Sequence, residues 1–170
     1  MTVLKILQYP DPRLKTIAKP VEHFDDQLRK IIDDMCETFY ATENCAALAA
    51  TQLDIVDPPR VTVINFPSER DELLCLVNPE IIASHGEQNE EEGCMSVPGC
   101  TYHRVKRAMT VTMRAKDRND RPMEFTVDGY WAKCVQHEID HLNGKIFLDR
   151  LSSLKRQRVD KRLSKLDKQT

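Results

Sequence analysis

The segment QHEIDHLNG (136–144) sets His137 and His141 four residues apart, with Glu138 directly after the first histidine. On a helix, residues i and i+4 share one face, so both imidazoles can bind a single metal ion. Glu138 is rotated off that axis, where it can serve as a base toward a water on the ion. A catalytic site of this kind takes three protein ligands and keeps one position open. The long protease extension H-E-x-x-H-x-x-G-x-x-H is followed as far as Gly144, but its last position is Phe147, which cannot coordinate. No glutamate follows Glu138, and Asp149, Asp160 and Asp167 lie near a helix break or in a basic tail. The third ligand is therefore expected upstream, among His85, His103 and the cysteines. Cys94 stands out in EEGCMSVPGC, where Gly93 permits close backbone approach and Pro98 fixes the chain shortly after. A thiolate with two imidazoles is a catalytic rather than a structural pattern.

The elements that must position these groups can be read from periodicity. Leu28, Ile31, Ile32, Met35 and Phe39 give residues 25–42 one apolar helical stripe. Short apolar or β-branched runs at 60–66, 72–79 and 80–84, interrupted by Asn and Pro, predict strands. Met109, Val111, Met113 and Ala115 alternate with polar residues, as do Met123, Phe125 and Val127, and DRNDRP between them predicts a hairpin. A helix from Tyr130 to Leu142 is expected, opened by Asp128 or Gly129 and closed by Asn143-Gly144. A last helix over 152–166, with Ser153 as cap, presents Leu154, Val159, Leu163 and Leu166. The class is α+β: antiparallel or mixed β-sheets, an N-terminal helix, the site helix and a C-terminal helix.

Composition narrows the setting. The 170 residues suit a single domain, 1–170, with a core large enough to bury a site. No 18-residue apolar run is present, so no membrane span is expected, and Pro10 comes too early for a signal-peptide core. A net charge of −2 gives no global pull toward nucleic acid or anionic membrane, although the C-terminal segment is strongly basic and 87–92 is acidic. The six cysteines form no C-x-x-C pair, which points to a reducing cytosol and to mostly buried, apolar cysteines.

The segments EGCMSVP (92–98), QHEIDH (136–141) and, more loosely, CAALAATQ (45–52) resemble the three signature segments of peptide deformylase. DPRLKTIAKPV near the start and FLDRLSSLKRQR near the end are similar to that family as well. The resemblance implies sheets packed around a central H-E-x-x-H helix and removal of the N-terminal formyl group from new polypeptides, with release of formate. It makes Cys94, His137 and His141 the ligands of one Fe²⁺ ion, for which Zn²⁺, Ni²⁺ or Co²⁺ can substitute. Glu138 becomes the acid/base, and the Gln52 amide and the Met95 backbone N–H become the donors to the oxyanion. Ala46, Ala47, Gly93, Tyr130, Lys133 and Cys134 fall at the substrate. The partners implied are N-formylated nascent peptides and, through the basic C-terminal helix, the ribosome, in the cytoplasm; the plainer reading of that helix is a solvated face.

The chain departs from the family pattern on the substrate side. Cys45 and Ala47 stand at the two glycine positions of the first segment, and Ala46 replaces a bulkier aliphatic residue. A positive φ at Ala47 would cost about 1 kcal/mol relative to glycine. Tyr130 and Lys133 put a phenol and an ammonium where an apolar pocket for a methionine side chain is implied, and GCTYHR after Pro98 is one residue longer than usual. These changes point to a working hydrolase with weakened or altered preference for formyl-methionyl peptides, or with low activity. The rival readings are a zinc endopeptidase, which the missing downstream ligand disfavours, and a binding module with a structural metal, which would have no use for Glu138.

Overall fold

The computed structural model describes residues 2–66, 73–97, 99 and 102–166. Helix α1 (Asp26–Ala41) starts where the Asp25 carboxylate accepts the Leu28 N–H at 2.9 Å. Its buried stripe is Leu28, Ile32, Met35 and Phe39, as the periodicity predicts.

Five antiparallel strands follow the sheet order β1 (Ala47–Ala49), β2 (Val61–Ile64), β3 (Leu74–His85), β6 (Thr110–Lys116) and β7 (Pro122–Asp128). A separate ribbon pairs β4 (Gln88–Glu92) with β5 (His103–Arg107). All four residues of β2 are buried, because both faces of the sheet are covered there. Val61 and Val63 pack toward α1, while Ile64 joins the cluster against helix α2 (Gly129–Leu142) that includes Met113, Ala132 and Val135.

Two strand expectations are corrected. The runs at 72–79 and 80–84 form one strand, of which the described part is Leu74–His85; the register shifts between Val77 and Glu80 rather than breaking at Pro79. Asn78 takes φ 51° there, and its side chain bridges Val21 N–H and C=O at 2.8 and 2.9 Å, so the bulge absorbs the missing proline donor. The β4–β5 ribbon was not expected, because all of its buried residues except Val105 are polar. Gln88 and Glu92 are its buried ends, and Gln88 Nε2 donates to Ala108 O and Gly129 O, both at 2.9 Å.

Helix α2 has Asp128 at its N-cap position but without a side-chain capping bond, and Gly129 follows at φ 51°. It ends at Asn143, and Gly144 turns the chain at φ 70°. Helix α3 (Ser153–Leu166) is capped by Ser152 rather than Ser153: Ser152 Oγ accepts Lys155 N–H at 3.4 Å, and its carbonyl accepts Arg156 N–H at 2.9 Å. Val159 is buried beside Phe147 and Leu148, whereas Leu154 faces solvent, so the apolar face of α3 is narrower than the spacing suggested. Among the described cysteines only Cys75 is buried and none is disulfide-bonded. Cys36 and Cys45 pack partly against the α1 core, and Cys94 and Cys134 open onto a cleft. Cys100, Pro98, Asp167 and the lengthened part of GCTYHR lie outside the described residues. Among the described residues, no helix is long and apolar enough to cross a membrane.

Gly144 and Gly129 both have positive φ, but a Cβ at Gly144 would fall 2.4 Å from the Lys15 carbonyl oxygen, while at Gly129 it would meet nothing within 4 Å. Gly129→Ala should therefore lower the melting temperature by about 2–4 °C, the conformational cost alone. Gly144→Ala should lower it by more than twice as much, and equal shifts by calorimetry would contradict the close packing of Lys15 on this turn.

Candidate active site

One face of α2 carries His137 and His141, with their Nε2 atoms 3.1 Å apart. The loop after β4 brings Cys94 Sγ to 3.3 Å from His141 Nε2. The three ligand atoms lie within 4.8 Å of one another. Tetrahedral metal–nitrogen and metal–sulfur bonds place ligand atoms about 3.3–3.6 Å apart; the two histidine nitrogens and the Cys94–His141 pair lie close to this, and one thiolate with two imidazoles is a donor set that suits a metal ion. The upstream alternatives are not brought in: His103 pairs with Glu92 on the ribbon and His85 ends β3. Phe147, at the position where a longer motif has its third ligand, is buried and stacks on His137 with ring centroids 6.3 Å apart. Asp149 accepts the Ile146 N–H and pairs with Arg156, while Asp160 accepts the Tyr9 hydroxyl.

Behind His137 lies a buried ionic chain that the sequence did not disclose. His137 Nδ1 sits 2.9 Å from Glu92 Oε2, an arrangement that turns Nε2 toward Cys94 and His141. Arg107, whose side chain is fully buried, donates to both Glu92 oxygens at 2.7 and 2.9 Å and to Asp140 Oδ2 at 2.5 Å. Arg150 closes the chain on Asp140 with bonds of 2.5 and 2.7 Å. Two carboxylates and two guanidiniums balance, which is what permits charge in this position. Burial alone would raise the Glu92 carboxyl, but Arg107 and His137 override it and hold the group at about 2. Asp140 is likewise held low against burial by Arg150 and Arg107. The one signal in the sequence was Glu92 at the start of EGCMSVP; Arg107 and Asp140 carried none.

Glu138 is buried beside this group, and burial raises its carboxyl to about 7. Its Oε2 atom has no hydrogen-bond partner within the protein, leaving it available to a water or a substrate. Gln52 is nearly fully buried, and its Oε1 accepts the Ala49 N–H at 2.8 Å. That bond turns the amide donor, Nε2, toward Cys94 Sγ at 3.5 Å and Ser96 Oγ at 3.3 Å. Met95 lines the same cleft, and its carbonyl accepts from Gln8 at 3.1 Å.

The cleft encloses about 470 Å³, and Ala46, Ala47, Gly93, Tyr130, Lys133 and Cys134 all line it. Glu43, Asn44, Glu91 and Tyr102 line it too, and spacing gave no hint of them. Gly93 packs closely: a Cβ there would sit 2.7 Å from the exposed Tyr102 ring, so a side chain at this position would require that ring to move. Ala47 lies in extended β1, paired with Ile64, while the positive φ of this segment falls on Asn44, at 56°. The conditional backbone cost at Ala47 therefore does not arise. Lys133 donates to Glu91 O at 2.8 Å and lies 5.1 Å from the centre of the Tyr130 ring, so its head is tied at the rim and its stem lines the cleft.

The sequence model of the polypeptide deformylase family matches residues 3–157. Peptide deformylase 1 of Coxiella burnetii is 63% identical over 167 residues, 98% of each chain. A peptide deformylase of Chromobacterium violaceum is 50% identical over 169 residues, 99% of each chain. In structure, a peptide deformylase from Legionella pneumophila superposes with a TM-score of 0.89 at 47% identity, covering 98% of this chain and 96% of that one. A peptide deformylase from Ehrlichia chaffeensis in complex with actinonin gives a TM-score of 0.87 at 35% identity, covering 97% and 98%. With the fold, the H-E-x-x-H helix and its cysteine partner already in place, these matches show that the chain belongs to the polypeptide deformylase family, metal-dependent hydrolases that remove N-terminal formyl groups.

Proposed function

We propose that Cys94, His137 and His141 hold one Fe²⁺ ion and that the chain, acting as one domain, deformylates formyl-methionyl peptides in the cytoplasm. The observation that carries this reading is the convergence of three ligand atoms beside buried Glu138 in one cleft. Zn²⁺, Ni²⁺ or Co²⁺ suits the same donors. The ion, when bound, supplies Lewis acidity toward the formyl oxygen and a water.

The remaining work falls to the chain. Glu138, with its carboxyl raised toward neutrality, takes a proton from the attacking water and delivers it to the leaving amine nitrogen. The Gln52 amide and the Met95 N–H donate to the oxygen as it gains negative charge. Glu92, through His137 Nδ1, keeps the imidazole oriented. The peptide lies as an added strand, because β1 and β4 each pair on one side only and leave edges bordering the cleft. Its first side chain reaches Tyr130, Lys133 and Cys134. Lys133 already occupies the Glu91 carbonyl on the β4 edge, so it both narrows the pocket and competes for a strand acceptor. The basic residues of α3, including Lys155, Arg158, Lys161 and Lys165, support docking to the ribosome, where formylated chains emerge.

Glu138→Ala should lower kcat on formyl-Met-Ala-Ser by about 10²–10⁴-fold while one ion per chain remains by elemental analysis; a loss under tenfold would contradict its role. Lys133→Ile should raise kcat/KM for the same peptide by about tenfold, relative to the wild type, through a more apolar pocket. An unchanged value would remove Lys133 from substrate selection.

Glu92 gives a pH signature. Its folded pKa, about 2, lies below the ordinary carboxylate value, so its stabilisation is complete above about pH 4.5 and is lost as pH falls toward 2. Urea unfolding of metal-free protein should show a loss on the order of 3 kcal/mol over that window. Glu92→Gln should flatten it, and an identical pH slope in the variant would contradict the assignment.

A further inference from the structure

Away from the catalytic cleft, a groove of about 800 Å³ is lined by six cations: Lys15, Arg104, Lys106, Lys145, Arg150 and Lys155. They come from four separate parts of the chain: the 3₁₀ turn Pro12–Lys15, strand β5, the segment following α2, and α3. All six are solvent-exposed. Arg150 is committed to Asp140, and Lys106 makes a surface pair with Glu87 at 3.1 Å. Lys15, Arg104, Lys145 and Lys155 have no acidic partner among the described residues. The single carboxylate in the lining, Asp149, is taken by Arg156.

The cleft around Glu138 lacks such an array: Lys133 is its one lysine, beside Glu43 and Glu91, while Glu92 is balanced by buried Arg107. A chain of net charge −2 thus still carries a concentrated basic groove. Net charge hides such a surface, yet its local field governs association with a polyanion. The type of cation narrows the ligand. A site for one small anion is built from buried, converging donors, whereas these are mostly exposed lysines spread along an open trough that runs onto α3. That arrangement suits regularly spaced phosphates, contacted as point charges without base recognition.

We propose that this groove binds the phosphodiester backbone of structured RNA, leaving the separate cleft at Glu138 to the peptide. The assignment extends the ribosome-docking reading: it shifts the main contact from α3 to a composite surface and stands on its own for free RNA.

The test uses metal-loaded protein and a fluorescein-labelled RNA duplex of about 20 base pairs, followed by anisotropy at 50 and 200 mM salt. The triple variant Lys15→Glu, Arg104→Glu, Lys145→Glu should bind at least tenfold more weakly at 50 mM salt. Its salt slope should fall by about 2 to 3, one unit per lost phosphate contact. Its hydrolysis of formyl-Met-Ala-Ser should stay within twofold of wild type, showing that the fold is intact. A second triple variant on α3, Arg158→Glu, Lys161→Glu, Lys165→Glu, should lose less RNA affinity than the groove variant. Wild-type affinity in the groove variant, or no RNA binding by wild type at 50 mM salt, overturns the proposal, as does tighter binding to a DNA duplex of the same sequence. Ribosome pelleting of both variants separates the two readings. Pelleting lost only in the α3 variant, with RNA affinity intact in the groove variant, keeps the docking reading and sinks this one. RNA affinity lost in the groove variant while both variants still pellet does the reverse.

Discussion

A fully buried arginine holds this molecule's chemistry in place. Arg107 leaves the β4–β5 ribbon and grips Glu92 with two bonds and Asp140 with a third. Glu92 belongs to the strand that leads into Cys94; Asp140 sits on α2 between His137 and His141. One guanidinium therefore ties the segment bearing the sulfur to the helix bearing the two nitrogens. Desolvating that charge is expensive, and only the matching carboxylates make it tolerable. Truncating either partner would leave a buried charge uncompensated, at a cost on the order of 3–5 kcal/mol. The arrangement also orients an imidazole, since His137 faces Glu92 through Nδ1 and turns Nε2 toward Cys94 and His141.

The two sheets frame the cleft. β1 ends the five-stranded sheet and β4 lies in the two-stranded ribbon, and the catalytic cleft opens between them. Tyr102 leans over Gly93 on one side while Tyr130 and Lys133 close the other. Polar and aromatic groups thus surround a pocket that an apolar side chain is proposed to enter.

Much of this was legible in the residues. Helical spacing placed α1, whose apolar stripe reports directly on burial, and the boundary signals Asp128-Gly129 and Asn143-Gly144 placed α2. The failed extension at Phe147 sent the search for a third ligand upstream, where Cys94 lies near both histidines, and Phe147 is a packing partner of His137. The ribbon was not legible, since β4 reads QNEEE and its inward positions are satisfied by hydrogen bonds and by Arg107 rather than by apolar contact. Pro79 misled for a related reason: a bulge with Asn78 at positive φ lets the strand continue where local rules predict a break. Arg107 and Asp140 were invisible because their meaning depends on pairing across 33 residues of chain, which periodicity does not record. The basic groove escaped notice likewise, being assembled from scattered single cations rather than from a run.

The central claim is that one sulfur and two imidazoles, from Cys94, His137 and His141, hold the ion beside Glu138. X-ray absorption at the metal edge of protein loaded with a single equivalent of zinc or iron addresses it without reference to turnover. The account predicts one sulfur neighbour at about 2.3 Å together with imidazole nitrogens at about 2.0–2.1 Å, and loss of the sulfur shell in Cys94→Ser. A first shell of nitrogen and oxygen alone in the wild-type protein would contradict it.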